Sequence, residues 1–178
     1  MYRHAMAALF LVTPMLTSAQ APGMPDGSRE RAALAPLTKL VGIWEGDASA
    51  MIGPGQMHAA RQREVVELGA GGTVLIVRGT GRLKEENNRV VHDAAAMIWF
   101  DAAANKLRMR AHRMEGITVE PDLELKGDTL VWGFQVQGGR IRYTTVFSDT
   151  DWHEVGHFIR EGMPPVVTMD MRLKKLKS

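Results

Sequence analysis

From Gly42 almost to the C-terminus the chain is written in period two, and this constrains its fold more than any other feature. In the clearest stretch, Ile117 to Lys126, Ile117, Val119, Leu123 and Leu125 alternate with polar residues, giving one dry and one wet face. Gly127-Asp128 makes a turn, after which Leu130, Trp132, Phe134 and Val136 alternate along a second strand. Gly138-Gly139 is a two-residue hairpin signal leading into Ile141, Tyr143, Thr145 and Phe147 on one face. Upstream, Val90 to Phe100 and the Leu107, Met109, Ala111 alternation form another hairpin, and Gly69 to Gly72 separates Met57 to Leu68 from Thr73 to Leu83. With Ile43 to Met51 at the start and Val166 to Leu176 at the end, about nine or ten strands are expected. A meander of that length escapes exposed edges by closing, so the expectation is an all-β, antiparallel up-and-down β-barrel with a short N-terminal helix.

That helix is read from Ala33, Leu34, Leu37, Leu40 and Val41 within Arg29 to Val41, with Pro36 splitting or kinking it. Ahead of it, Arg3, the apolar run Ala5 to Val12 and Ala19-Gln20-Ala21 read as a signal peptide over residues 1–21, cleaved near Ala19 or Ala21. Residues 22–28 read as a mobile leader, and 29–178 as one barrel domain in a periplasmic or secreted protein. The signal takes with it only Arg3 among the charged residues, so the formal charge falls from +2 to about +1, which is no nucleic-acid footprint. No membrane span is expected, because the apolar run is far short of the ~20 residues needed. The chain has no Cys, so no disulfide framework supports the fold and stability must come from one buried core.

The segment His153-Glu154-Val155-Gly156-His157 matches the zinc-protease pattern H-E-x-x-H. On a helix the two histidines share a face one turn apart and can hold one Zn²⁺, with the glutamate activating its water. On a strand they lie roughly 13 Å apart at about 3.3 Å per residue and cannot. Asp149 or Thr150 could cap a helix and Gly162 with Pro164 could end it. Beyond His157, however, no histidine follows, only Glu161 and Asp170 as carboxylates, and a closed barrel needs this stretch to pair with its neighbours. The expectation is therefore a strand, with no catalytic and no metal-binding residues assigned.

Leu37, Leu40, Gly42, Trp44 and Gly46, read as L-x-x-L-x-G-x-W-x-G, resemble the opening of lipocalin-like (calycin) barrels. The closing part, Tyr143-Thr144-Thr145 through Trp152-His153-Glu154-Val155-Gly156 to Met169-Asp170-Met171-Arg172-Leu173, resembles an uncharacterised bacterial family of small exported lipocalin-like proteins. That resemblance runs from about Leu34 to Leu176 and implies the barrel fold, with the W-H-E-V-G stretch as a strand near its end. A more distant likeness is to the nitrobindins, ten-stranded barrels that bind haem through a histidine on the last strand. Here Val166 to Leu176 carries no histidine, leaving Met169 or a histidine of the preceding strand as the substitute that haem ligation would require.

The function expected is non-catalytic binding of a small hydrophobic or amphipathic molecule, with haem or zinc as alternative cofactors. Trp132, Phe134, Tyr143, Met169 and Met171, joined by Met97 and Met109, are the candidate cavity lining, since Met adapts to irregular shapes. His92, His153 and His157 are candidates to fix a polar end of the ligand, and with His112 they could converge on a metal. Trp44 is expected to plug the barrel floor beside Arg172 or Lys174. Arg108, Arg110, His112 and Arg113 read as a solvated basic strip, and Gly79-Thr80-Gly81 as a bend or bulge within a strand.

Overall fold

A computed structural model describes residues 26–53, 55–84 and 87–177. The proposed signal peptide and most of the leader lie outside the described residues. The expected helix is present in two pieces, α1 (Ser28–Leu34) and a 3-10 turn (Ala35–Leu40), with Pro36 in the first turn of the second piece. Proline lacks the N–H that a continuing α-helix would need, so the chain tightens there. Leu34, Leu37 and Leu40 form the buried stripe of this segment.

Eleven strands follow: β1 (Gly42–Gly53), β2 (Gln56–Gly69), β3 (Val74–Leu83), β4 (Val90–Asp101), β5 (Lys106–Arg113), β6 (Thr118–Val119), β7 (Asp122–Lys126), β8 (Thr129–Val136), β9 (Gly139–Phe147), β10 (Asp151–Ile159) and β11 (Val166–Lys175). Sequence neighbours pair antiparallel except β6 and β7, which both lean on β5, and β11 pairs with β1. The sheet is thus a closed up-and-down barrel of ten staves, one of them broken. The break corrects the single strand expected over Ile117 to Lys126. Pro121 sits in its middle, cannot donate to the ladder, and leaves β5 and β7 joined at Arg108 and Asp122 alone.

The meander puts the turns after β1, β3, β5, β8 and β10 at one end and the helix at the other. The helical end is closed. Leu34, Leu37 and Leu40 pack with Trp44, Val66, Leu75, Ile98, Leu130, Phe147, Trp152 and Leu173. Trp44, fully buried, donates its indole N–H to the Leu40 carbonyl at 2.7 Å and meets Trp152 edge to face at 5.7 Å. Its cationic neighbour is Lys175, 4.9 Å from the ring, and not Arg172 or Lys174 as the sequence reading had it. Strand parity explains the difference: Met169, Met171, Leu173 and Lys175 share the inner face of β11, whereas Lys174 pairs with Asp151 and Arg172 lies 3.5 Å from Asp170 outside.

Candidate functional site

Parity also decides what the barrel encloses. The inner face of β8 to β11 is large and aromatic, carrying Trp132, Phe134, Tyr143, Trp152 and Met169. Opposite it, β1 to β5 turn in small residues: Ala48, Ala50, Ala60, Gly79, Gly81, Ala94, Ala96 and Ala111. Ala48, Ala96 and Ala111 lie mid-strand and face inward, yet remain partly accessible to solvent. Side chains this small take up less of a ten-stranded barrel's interior than larger ones would. Trp132 and Tyr143 stack at 4.0 Å with 18° between their planes, and both are only half-buried. Gly156 makes that stack possible, since a Cβ there would fall 2.6 Å from Tyr143 Cε1.

Just above the closed floor lies a polar cluster. Glu154 on β10 is buried, accepts a short hydrogen bond from Thr145 Oγ1, and is acted on by the indole N–H groups of Trp132 and Trp152. Glu64 on β2 is buried and accepts from Gln62 Nε2 at 2.6 Å. Burial pushes Glu64 up to about 8, with the nearby Glu154 carboxylate adding to the shift. Burial likewise raises Glu154. Tyr143 is pushed up to about 12 by burial, then by Glu154, with Arg113 acting the other way. Neither glutamate has an ion-pair partner among the described residues.

Nearer the open end, His92 and Arg113 also turn inward. Burial, then Arg113, lowers the His92 imidazole below its ordinary value, so it stands neutral there. Arg113 therefore does not belong to the outer basic strip with Arg108, Arg110 and His112. Its guanidinium donates to Glu115 at 3.0 Å, while Nε is buried without a partner. Two more buried polar atoms lack partners among the described residues, Trp152 Nε1 and Thr168 Oγ1. Thr168 lies where the β10–β11 register shifts, its hydroxyl 3.1 Å from the point where a Gly156 Cβ would stand inside the barrel. The rim is apolar, with Met57, Met114, Ile117, Val136, Met163 and Val166 exposed around it.

Of the residues expected to line the cavity, Trp132, Phe134, Tyr143, His92, Met109, Met169 and Met171 face inward. Met97 is on the outer face and 47% exposed, which corrects its placement in the lining. His153 and His157 are on the outer face too, so they do not reach the interior. His153 Nε2 lies 3.0 Å from Asp170 Oδ1 and His157 is registered with the exposed Arg142. The H-E-x-x-H match is thus split across the wall, glutamate inside and histidines outside, and β geometry keeps the histidines too far apart for one ion. Among the described residues no group of three or more His, Asp or Glu converges to hold a metal. Of the haem ligands that the last two strands could offer, Met169 faces inward and the histidines of β10 point out.

A separate cavity of about 380 Å³ opens at the broken stave, between Trp99, Leu107, Met109, Glu120, Pro121 and Leu123. It joins outer and inner side chains where the ladder between β5 and β7 is missing.

The sequence reading did not assign Gln62, Glu64, Thr145, Glu154 or Arg113 to the interior. The available signal was the pair Gly79 and Gly81: a Cβ on either would stand 2.5 Å from Glu64 Oε1 or Gln62 Oε1 respectively. Two glycines two apart on a strand mark large side chains lying across them.

No protein-family profile and no curated protein sequence matches the chain. Solved structures do. Rv2717c from M. tuberculosis superposes with a TM-score of 0.62 at 12% identity, over 82% of this chain and 98% of that one. The S-type phycobiliprotein lyase CPES from Guillardia theta superposes with a TM-score of 0.58 at 11% identity, over 85% and 96%. At such identities the similarity is one of fold alone, a closed antiparallel barrel. Among the described residues no helix is long and apolar enough to cross a membrane.

Proposed function

We propose that this protein binds a small, flat amphipathic molecule inside the barrel, without transforming it chemically. One observation carries the reading: three buried polar atoms without partners among the described residues, on Arg113, Trp152 and Thr168, are spread along the barrel interior from its open end to its floor, with a half-buried aromatic stack and a wall of alanines. Buried polar groups are satisfied in nearly all proteins, so such orphans call for a partner that completes them. The alanine and glycine wall leaves room for that partner. Trp132 and Tyr143 offer it a flat surface, and the apolar rim an entrance. The likeness in fold to a phycobiliprotein lyase supports small-molecule binding in general.

The reading is tested by mass spectrometry of the protein purified under native and then denaturing conditions. A small molecule released only on denaturation, and at least ten-fold depleted in Trp132→Ala, supports it. A wild-type protein that carries nothing and takes up no aromatic probe overturns it. We further propose that the protein works outside the cytoplasm after losing residues 1–21, which N-terminal sequencing of the protein from the exported fraction checks.

A further inference from the structure

Glu64 and Glu154 are two buried carboxyl groups close enough to act on one another, and neither has a cation beside it among the described residues. Their hydrogen-bond donors are neutral: Gln62 for Glu64 and Thr145 for Glu154. A buried carboxylate is kept where it is paired or coordinated, and two side by side without a counter-ion are a poor way to fill a core that Leu or Met would fill better. The cluster also contains a donor in reserve. Trp152 is 7% exposed and its Nε1 makes no hydrogen bond among the described residues. Burial holds both carboxyl groups above the usual carboxylate range, so ionising either one calls for a positive charge beside it that no described residue supplies.

We propose that the polar end of the ligand is a protonated amine or amidine, received between Glu64 and Glu154 at the base of the barrel, with its apolar body against Trp132 and Tyr143. This rests on the binding reading above and specifies its chemistry. The cation supplies the missing counter-ion, and the ring faces of Trp132 and Tyr143 favour it further. Burial raises both carboxyl groups toward the protonated form, so ionising one of them on binding releases a proton to solvent. The other titratable groups turned inward have places of their own. Tyr143 stays neutral, His92 is held neutral by burial, Arg113 is bound to Glu115 nearer the open end, Lys175 donates to the Lys39 carbonyl at the closed end, and His58 stands opposite Ala50 toward the open end.

The test is calorimetry at pH 7.5 with three probes of one shape, 1-naphthylmethylamine, 1-naphthylmethanol and 1-naphthoate, against wild type and the double variant Glu64→Gln with Glu154→Gln. Gln is isosteric with the neutral carboxyl, so the variant keeps the fold, which circular dichroism confirms. The expected result is at least ten-fold tighter binding of the amine than of the alcohol or the acid, with net proton release seen on changing the buffer. The double variant loses that preference and the proton release while still binding the alcohol. Equal binding of all three, a preference for the acid, or an amine preference that survives in the double variant overturns the inference and leaves the binding reading standing. No binding of any probe to wild type overturns both.

Discussion

Gly79 lies directly against Glu64: a Cβ placed at residue 79 would stand 2.5 Å from Glu64 Oε1 and 2.6 Å from Oε2. The register puts the two residues opposite each other on β3 and β2, both facing inward. A cross-strand pair of this kind has its side chains at their closest approach, and here one member gives up its side chain entirely so that the other can lie flat across the strand. The same relation holds between Gly81 and Gln62, so the glycine pair shapes the bed on which the hydrogen-bonded Gln62–Glu64 unit rests.

Gly79→Ala should therefore cost about 1–3 kcal/mol by overpacking, a fall in melting temperature of roughly 2–4 °C per kcal/mol for a domain of this size. The cost should shrink when Glu64 is Ala, because the clash is with that carboxylate and not with the backbone. A double-mutant cycle on thermal unfolding measures this coupling. An unchanged cost in the Glu64→Ala background would show that the glycine serves something else.

Stability should fall as pH rises from about 4.5 to about 8. Glu64 is raised from 4.5 to about 8, so across that window the folded state holds a proton that the unfolded chain has lost. Its stabilising contribution is fully present below the unfolded value and lost as pH passes through the folded one, with a limiting slope near 1.4 kcal/mol per pH unit. Glu154, raised in the same direction, adds to the effect. His92 is lowered and works the opposite way below about 6.5, so the comparison that isolates Glu64 is wild type against Glu64→Gln. The variant should show a flatter profile between pH 5 and 8 in denaturant titrations. A slope equal to that of wild type would contradict this account.

The strands, the helix kink at Pro36 and the Trp44 plug were legible because each rests on a local signal of period, proline or motif. Trp132, Phe134, Tyr143 and Met169 were legible as lining for the same reason: an alternating strand commits a whole set of residues to one face. Gln62 and Glu64 were not, since Arg61-Gln62-Arg63-Glu64 is polar on both faces and carries no alternation to say which side turns in. Glu154 was hidden differently. Inside H-E-V-G-H it reads as part of a contiguous catalytic motif, whereas the strand sends its neighbours outward and only Glu154 and Gly156 inward. Arg113 read as the end of an exposed basic run, and the closure of β4 on β5 is what carries it into the barrel.

His153→Ala combined with His157→Ala should leave interior binding unchanged. Both side chains lie outside the wall, and the His153–Asp170 contact is between groups with 36% and 39% of their side chains exposed. Exposed pairs of this kind contribute about 0–1 kcal/mol. The expected outcome is a melting temperature within a few degrees of wild type, and affinity for any interior probe within about two-fold. A ten-fold loss of affinity would mean that the outer face takes part in binding.

Hydrogen exchange should find the weakest point of the wall at the broken stave. Between the Ala111–Val119 pair and the Arg108–Asp122 pair the ladder lapses, Pro121 has no N–H to give, and the 380 Å³ cavity lies against the gap. Amides without ladder partners open at low cost, whereas those of β1, β10 and β11 are paired on both sides and should exchange near the global limit. Glu120, between the two pairs, should thus exchange at least about ten-fold faster than the paired residues of β10. Pro121→Val restores a donor in a residue that favours strands, and exchange around it should slow. If the valine variant exchanges as fast as wild type, the proline is not what keeps this stave open. The opening would then come from the Met114 to Ile117 turn, which sets where β6 rejoins β5.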